Sequence, residues 1–177
     1  MKHFLLFYIL SFQLLSFSQE KYPKDYFRNP LDIPIVLSGS FGELRSNHFH
    51  AGLDIKTQGK QGLKVFTAAD GYVSRIKVQQ FGYGKAIYVT HPNGFTTVYG
   101  HLSKFNDEIE AYIKKVQYKK ENYQTGNLFF KKDKFPLKKG DILAFSGDTG
   151  GSGGPHLHFE IRNTVTENVI NPLFFGL

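Results

Sequence analysis

Apolar positions in this chain recur in short alternating runs broken by glycine, a pattern that predicts strands and tight turns. Val65–Ala69 and Tyr72–Val78 flank an Asp70-Gly71 turn signal. Ala86–Thr90 and Phe95–His101 flank His91-Pro92-Asn93-Gly94, a second hairpin signal. Ile142–Ser146 and Leu157–Arg162 supply two more strands around a glycine cluster, and no internal repeat recurs at a fixed period. One stretch has a helical period instead. Ile109, Tyr112, Ile113 and Val116 fall at i, i+3, i+4, i+7, giving a single apolar stripe. Asn106 is placed to cap its start, Asp107, Glu108 and Glu110 sit in the first turn, and Lys114, Lys115 and Lys119 follow toward the end. That charge order suits the helix dipole. The pattern predicts a mainly β chain with one inserted helix.

The chain opens differently. Met1-Lys2-His3 is a short positive start, Phe4–Phe17 is nearly all apolar, and Ser16-Phe17-Ser18 offers small residues for cleavage. A spanning helix needs roughly 20 apolar residues, so residues 1–18 read as a signal peptide rather than an uncleaved anchor. Residues 19–34 form an extended lead-in interrupted by Pro23, Pro30 and Pro34, and residues 35–177 form the domain proper.

Composition narrows the chemistry. The 177 residues contain no cysteine, which excludes a disulfide scaffold, a thiolate metal site, a cysteine nucleophile and an acylated lipoprotein cysteine. Any metal must be held by His, Asp or Glu. A net charge of +7 points to an anionic partner. Export argues against nucleic acid and leaves an acidic envelope polymer. Nine lysines lie between Lys114 and Lys139 against only Glu121 and Asp133. They read either as a solvated helix end and loop or as one wall of a groove for such a polymer.

Beyond the leader lie six histidines: His48, His50, His91, His101, His156 and His158. In His50-Ala51-Gly52-Leu53-Asp54, Gly52 disfavours a helix. As a strand, His50, Gly52 and Asp54 point one way, with Gly52 leaving open space between two candidate ligands. In His156-Leu157-His158-Phe159-Glu160-Ile161, the two histidines and Glu160 share one face and the apolar residues the other. His101 shares its face with Tyr99. Side by side, such strands gather four imidazoles and one carboxylate. Two His and one carboxylate make a three-ligand zinc site with a position left for water, with two histidines over for proton transfer. Strand parity does not say whether His156 or His158 is the ligand.

At these residues the sequence resembles the lysostaphin-like, or LytM-type, zinc metalloendopeptidases, which cut peptide cross-links in peptidoglycan. The resemblance runs through Phe41-Gly42-Glu43-Leu44-Arg45, His50-Ala51-Gly52-Leu53-Asp54-Ile55 and Ala69-Asp70-Gly71-Tyr72-Val73. It continues through Gly82-Tyr83-Gly84, Tyr99-Gly100-His101-Leu102, and Gly147-Asp148-Thr149-Gly150 to Gly154-Pro155-His156-Leu157-His158-Phe159-Glu160. It implies zinc (Zn²⁺) on His50, Asp54 and His158, with His101 and His156 as the catalytic, non-ligand histidines. It also implies an antiparallel, barrel-like sheet of the duplicated-hybrid-motif type, peptidoglycan as substrate, and a location in the periplasm, cell envelope or outside the cell. His48 is a reserve ligand by parity, and His91, in its turn, reads as solvent-exposed. Two departures stand out: the long lysine-rich segment from Ser103 to Leu137, and a chain that stops soon after Pro172. Two other readings compete: a non-catalytic LytM-type module that binds the wall or activates another hydrolase, and a carrier-like β-barrel. The carrier lacks a lysine at a hairpin tip and leaves the histidines unexplained.

Overall fold

Alternation along one strand sets the two faces on which the molecule is built. Leu157, Phe159 and Ile161 of β11 (His156–Asn163) are fully buried in the core, and His156, His158 and Glu160 face the other way. The computed structural model describes residues 22–177, so the expected leader, residues 1–18, lies outside it.

In chain order the strands are β1 (Leu37–Gly39), β2 (Leu53–Lys56), β3 (Lys64–Phe66), β4 (Gly71–Val78), β5 (Lys85–Thr90), β6 (Phe95–Gly100) and β7 (Lys104–Phe105). The helix α1 (Asp107–Lys120) follows, then β8 (Gly126–Phe129), β9 (Pro136–Leu137), β10 (Ile142–Phe145), β11 and β12 (Val169–Ile170). The main sheet runs β1-β2-β11-β6-β5-β4-β8, with β12 on β11 and β9 on β4. Its pairings are antiparallel, and the path is open, with β1 and β8 at its ends. A second sheet has the order β3-β10-β7. Among the described residues the fold is the mainly β, antiparallel arrangement with one α-helix that the sequence predicts.

The helix forms where its stripe and cap place it. The Asn106 side chain accepts from the Ile109 amide, and Ile109 and Ile113 are buried. His91–Gly94 does join two paired strands, β5 and β6. Asp70-Gly71 does not make a hairpin. β3 pairs with β10 in the small sheet and β4 with β5 in the main one, so the chain crosses between sheets at that turn. Gly71 is needed there because a Cβ would lie 2.4 Å from the Thr90 carbonyl oxygen. The described part of the lead-in, residues 22–34, has no helix or strand, yet Phe27 and Leu31 are core residues, with Phe27 edge-on to Phe95 and Phe175. Each such buried side chain contributes about 1.5–3 kcal/mol, so the lead-in is bound to the domain by burial. It also covers His91, which is buried rather than exposed: the Phe27 ring stands edge-on at 5.2 Å.

Candidate metal centre

The pairing of β2, β11 and β6 brings the candidate residues together. Asp54 of β2 lies opposite His158, and His158 lies opposite Gly100 of β6. His50 reaches the same point from the segment before β2, outside any strand, so its placement is not a matter of strand parity. Gly52 leaves no open space. A Cβ there would meet the Phe159 carbonyl oxygen at 2.2 Å, so this glycine lets β11 approach the chain closely.

His101 breaks the expected alternation. Tyr99, its predicted face-mate, is buried in the core with its hydroxyl accepting from the Ala68 amide. His101 follows the end of β6 with φ of 57°, and this left-handed turn carries its ring to the side of β11 that holds the histidines. The ring lies 4.6 Å from that of His156 and 5.9 Å from that of His158.

The outer ring nitrogens share one arrangement. His50 Nδ1 donates to the Ser40 carbonyl at 2.8 Å, and His158 Nε2 donates to Glu160 Oε1 at 2.8 Å. His101 Nδ1 donates to the Thr149 carbonyl at 2.7 Å, and His156 Nδ1 to the Gly154 carbonyl at 2.8 Å. In each neutral ring the other nitrogen is then an unprotonated lone pair.

Three of those inner atoms meet. His50 Nε2, His158 Nδ1 and Asp54 Oδ1 stand 2.9–3.0 Å apart, with all three residues buried. With both rings neutral, no hydrogen remains to bond the three atoms to one another, and together they could hold a cation. A tetrahedral zinc shell with bonds of about 2.0–2.1 Å separates its ligand atoms by about 3.3 Å, close to this spacing. The donor set therefore fits a divalent metal. His156 Nε2 lies 3.4 Å from Asp54 Oδ1, outside the trio. His48 is exposed and bonded to the Asn47 side chain on the cleft rim.

Partners that the sequence did not single out hold this trio. Arg45 donates to Asp54 Oδ2 at 2.9 Å, leaving Oδ1 to the histidines. Glu160 is fully buried, gripped by Arg162 Nε at 2.6 Å and by the Tyr83 hydroxyl, and the Tyr83 ring stacks on His158 at 4.8 Å. Parity had placed Glu160 on the histidine face, the one signal of its role. Where no cation is bound, protons can take its place: burial opposes ionisation of Asp54, but hydrogen bonds from His156, His158 and His50 then outweigh it and hold its carboxyl below the usual range. Burial likewise opposes protonation of His158, yet Asp54 and Glu160 on either side raise its pKa. His156 is also raised, the Asp54 and Gly154 contacts outweighing burial. His101 is lowered to about 4, chiefly by burial.

The histidines and Asp54 line a cleft of about 350 Å³ bounded by Arg45, Ser46, Tyr83, Gly151 and Gly153. None of the nine lysines from Lys114 to Lys139 lines it. Several are tied down elsewhere: Lys120 donates to the Thr125 carbonyl, Lys139 to the Tyr26 carbonyl, and Lys134 lies over the Tyr112 ring.

Residues 48–120 match the model of Peptidase family M23, a span that holds His50, Asp54 and His101. The DD-carboxypeptidase/endopeptidase Mpg of Neisseria meningitidis serogroup B is 31% identical over 134 residues, covering 76% of this chain and 24% of that protein. The chain thus spans about a quarter of that relative's length. The structure of Helicobacter pylori Csd3 is 29% identical, with a TM-score of 0.57 over 86% of this chain and 33% of that one. The catalytic domain of lysostaphin from Staphylococcus simulans, 23% identical, shares the fold, with a TM-score of 0.57 over 78% of this chain and 90% of that one. On its motifs, its fold and these matches together, the chain belongs to Peptidase family M23.

Proposed function

We propose that this protein is an exported, zinc-dependent endopeptidase that hydrolyses peptide bonds in peptidoglycan stem peptides or cross-links. The observation that carries the reading is the trio of buried lone-pair atoms on His50, Asp54 and His158, each held from behind by a hydrogen-bond partner. His50, Asp54 and His158 hold the metal. Zinc, when bound, supplies a Lewis acid for the scissile carbonyl and makes water acidic near neutrality. Arg45 and Glu160 keep Asp54 and His158 in their binding geometry. His101 and His156 do the proton work at Nε2, one taking the proton of the attacking water and the other supplying one to the leaving amine. Their Nδ1–H bonds to the Thr149 and Gly154 carbonyls fix the tautomer that this requires. The relatives' names, which specify DD-carboxypeptidase and endopeptidase activity, support a peptide bond of peptidoglycan as the target. Residues 1–18 serve as the signal peptide and residues 19–34 as the lead-in to a metallopeptidase domain over 35–177.

The test is mass spectrometry of fragments released from purified peptidoglycan by the zinc-loaded protein. New amino termini support the reading. New reducing sugar ends, or no release at all, contradict it.

A further inference from the structure

The cleft continues past His156 into a second lobe of about 450 Å³, which shares Arg45, Asp54 and His156 with the metal lobe. Lys56 lines this lobe with Ser38 and Gln58. Alternation along β2 puts Lys56 on the face of Asp54, and the strand register sets it opposite His156. Residues directly opposite in an antiparallel ladder have Cβ atoms about 4.5–5.5 Å apart, so the Lys56 side chain leaves the sheet beside that of His156.

Charge in this lobe is one-sided. Asp54 supplies the only carboxylate that lines it, and its two oxygens are already engaged by the histidines and Arg45. Arg45 divides its charge between Asp54 and Glu43, and its Nε is buried with no hydrogen-bond partner. Lys56 is exposed, and no group among the described residues pairs with its ammonium. The Lys56 ammonium is thus a cation without an acceptor on one small lobe next to the candidate proton-transfer group. A ligand carboxylate that meets this ammonium gains a charge-assisted hydrogen bond, stronger than one between neutral groups.

We propose that this lobe is a subsite for a carboxylate on the peptide substrate, with Lys56 as its specificity-determining residue; the inference rests on the peptidase reading above. The favoured substrate carries a free carboxylate within about one residue of the scissile amide. That group is either an α-carboxylate or a side-chain carboxylate.

The test uses two pairs of short peptides, one pair for each carboxylate position, each comparing the free carboxylate with its carboxamide. Zinc-loaded wild type should favour the carboxylate member of one pair about tenfold in kcat/KM, chiefly through KM. The pair with the larger ratio identifies the carboxylate. Lys56→Gln should bring that ratio near one, Lys56→Arg should retain most of it, and zinc content should be equal in all three proteins. A ratio near one in wild type, or an undiminished ratio in Lys56→Gln, overturns the subsite while leaving the peptidase reading intact. If no peptide is cleaved, the peptidase reading fails, and calorimetry with reduced-amide versions of the same peptides decides the subsite. Binding of the carboxylate peptide that Lys56→Gln weakens about tenfold supports it. Equal binding of carboxylate and carboxamide overturns it.

Discussion

His91 and His158 are both buried, and both have partners at each ring nitrogen, yet they are different kinds of residue. At His91 each nitrogen meets a group that can complete it: Nδ1 donates to the Asp70 carbonyl at 2.8 Å, and Nε2 lies 2.8 Å from the Thr97 hydroxyl, which can donate or accept. At His158 only the outer nitrogen is balanced, by Glu160. The inner one faces Asp54 Oδ1 and His50 Nε2, neither of which has a hydrogen to offer. Donor and acceptor bookkeeping, rather than burial or histidine spacing, separates a packing histidine from a candidate ligand.

The comparison breaks if the two environments respond alike. His50→Ala should abolish metal binding and drop peptide hydrolysis to background, because two donors cannot replace three. His91→Ala should retain one metal per chain and instead cost about 1–3 kcal/mol of stability by leaving the Asp70 carbonyl without its partner and taking one from the Thr97 hydroxyl. Metal analysis and denaturant unfolding of both variants check this, and metal loss in His91→Ala would erase the distinction.

Glu160→Gln sharpens it. The amide keeps the size of the side chain but removes the charge that sets the His158 tautomer and balances Arg162. Metal affinity, read by competition with a chelator, should weaken about 10–100-fold with the fold retained. Unchanged affinity would make Glu160 a packing residue only.

The environments also differ in acid. Burial lowers the His91 pKa from 6.5 to about 4 in the folded protein. The unfolded chain therefore takes up a proton first as pH falls. The stability from neutral His91 is whole above about pH 6.5, is lost progressively down to about pH 4, and amounts to about 3 kcal/mol over that window. His91→Gln should flatten this part of the stability profile of the metal-free protein. An unchanged slope would assign it to other groups.

Where the sequence was legible, the information was local. The alternation in β11 and the stripe and cap of α1 each lie within one element, so both faces of β11 and the buried side of the helix followed from period alone. Asp70-Gly71 misled because the partner of β3 lies far along the chain in β10, a pairing that no local pattern announces. His91 sits in a hairpin turn, and segments distant in sequence help to bury it, among them the lead-in through Phe27. His101 reaches the site by a left-handed residue, where a strand period does not apply. There Gly147 packs so closely that a Cβ would lie 2.7 Å from the His101 carbonyl oxygen. Glu160 was visible on the right face, but its role depends on Tyr83 and Arg162, which reach it only in the folded sheet.

The most direct test sets His156→Ala beside His158→Ala, two imidazoles on one face of one strand, in metal analysis and peptide turnover. The account predicts that His158→Ala loses both metal and activity. His156→Ala should keep about one metal per chain while its catalytic rate falls roughly 10²-fold or more, the scale of losing a positioned acid–base group. Loss of the metal in His156→Ala with its retention in His158→Ala would contradict the assignment of the site.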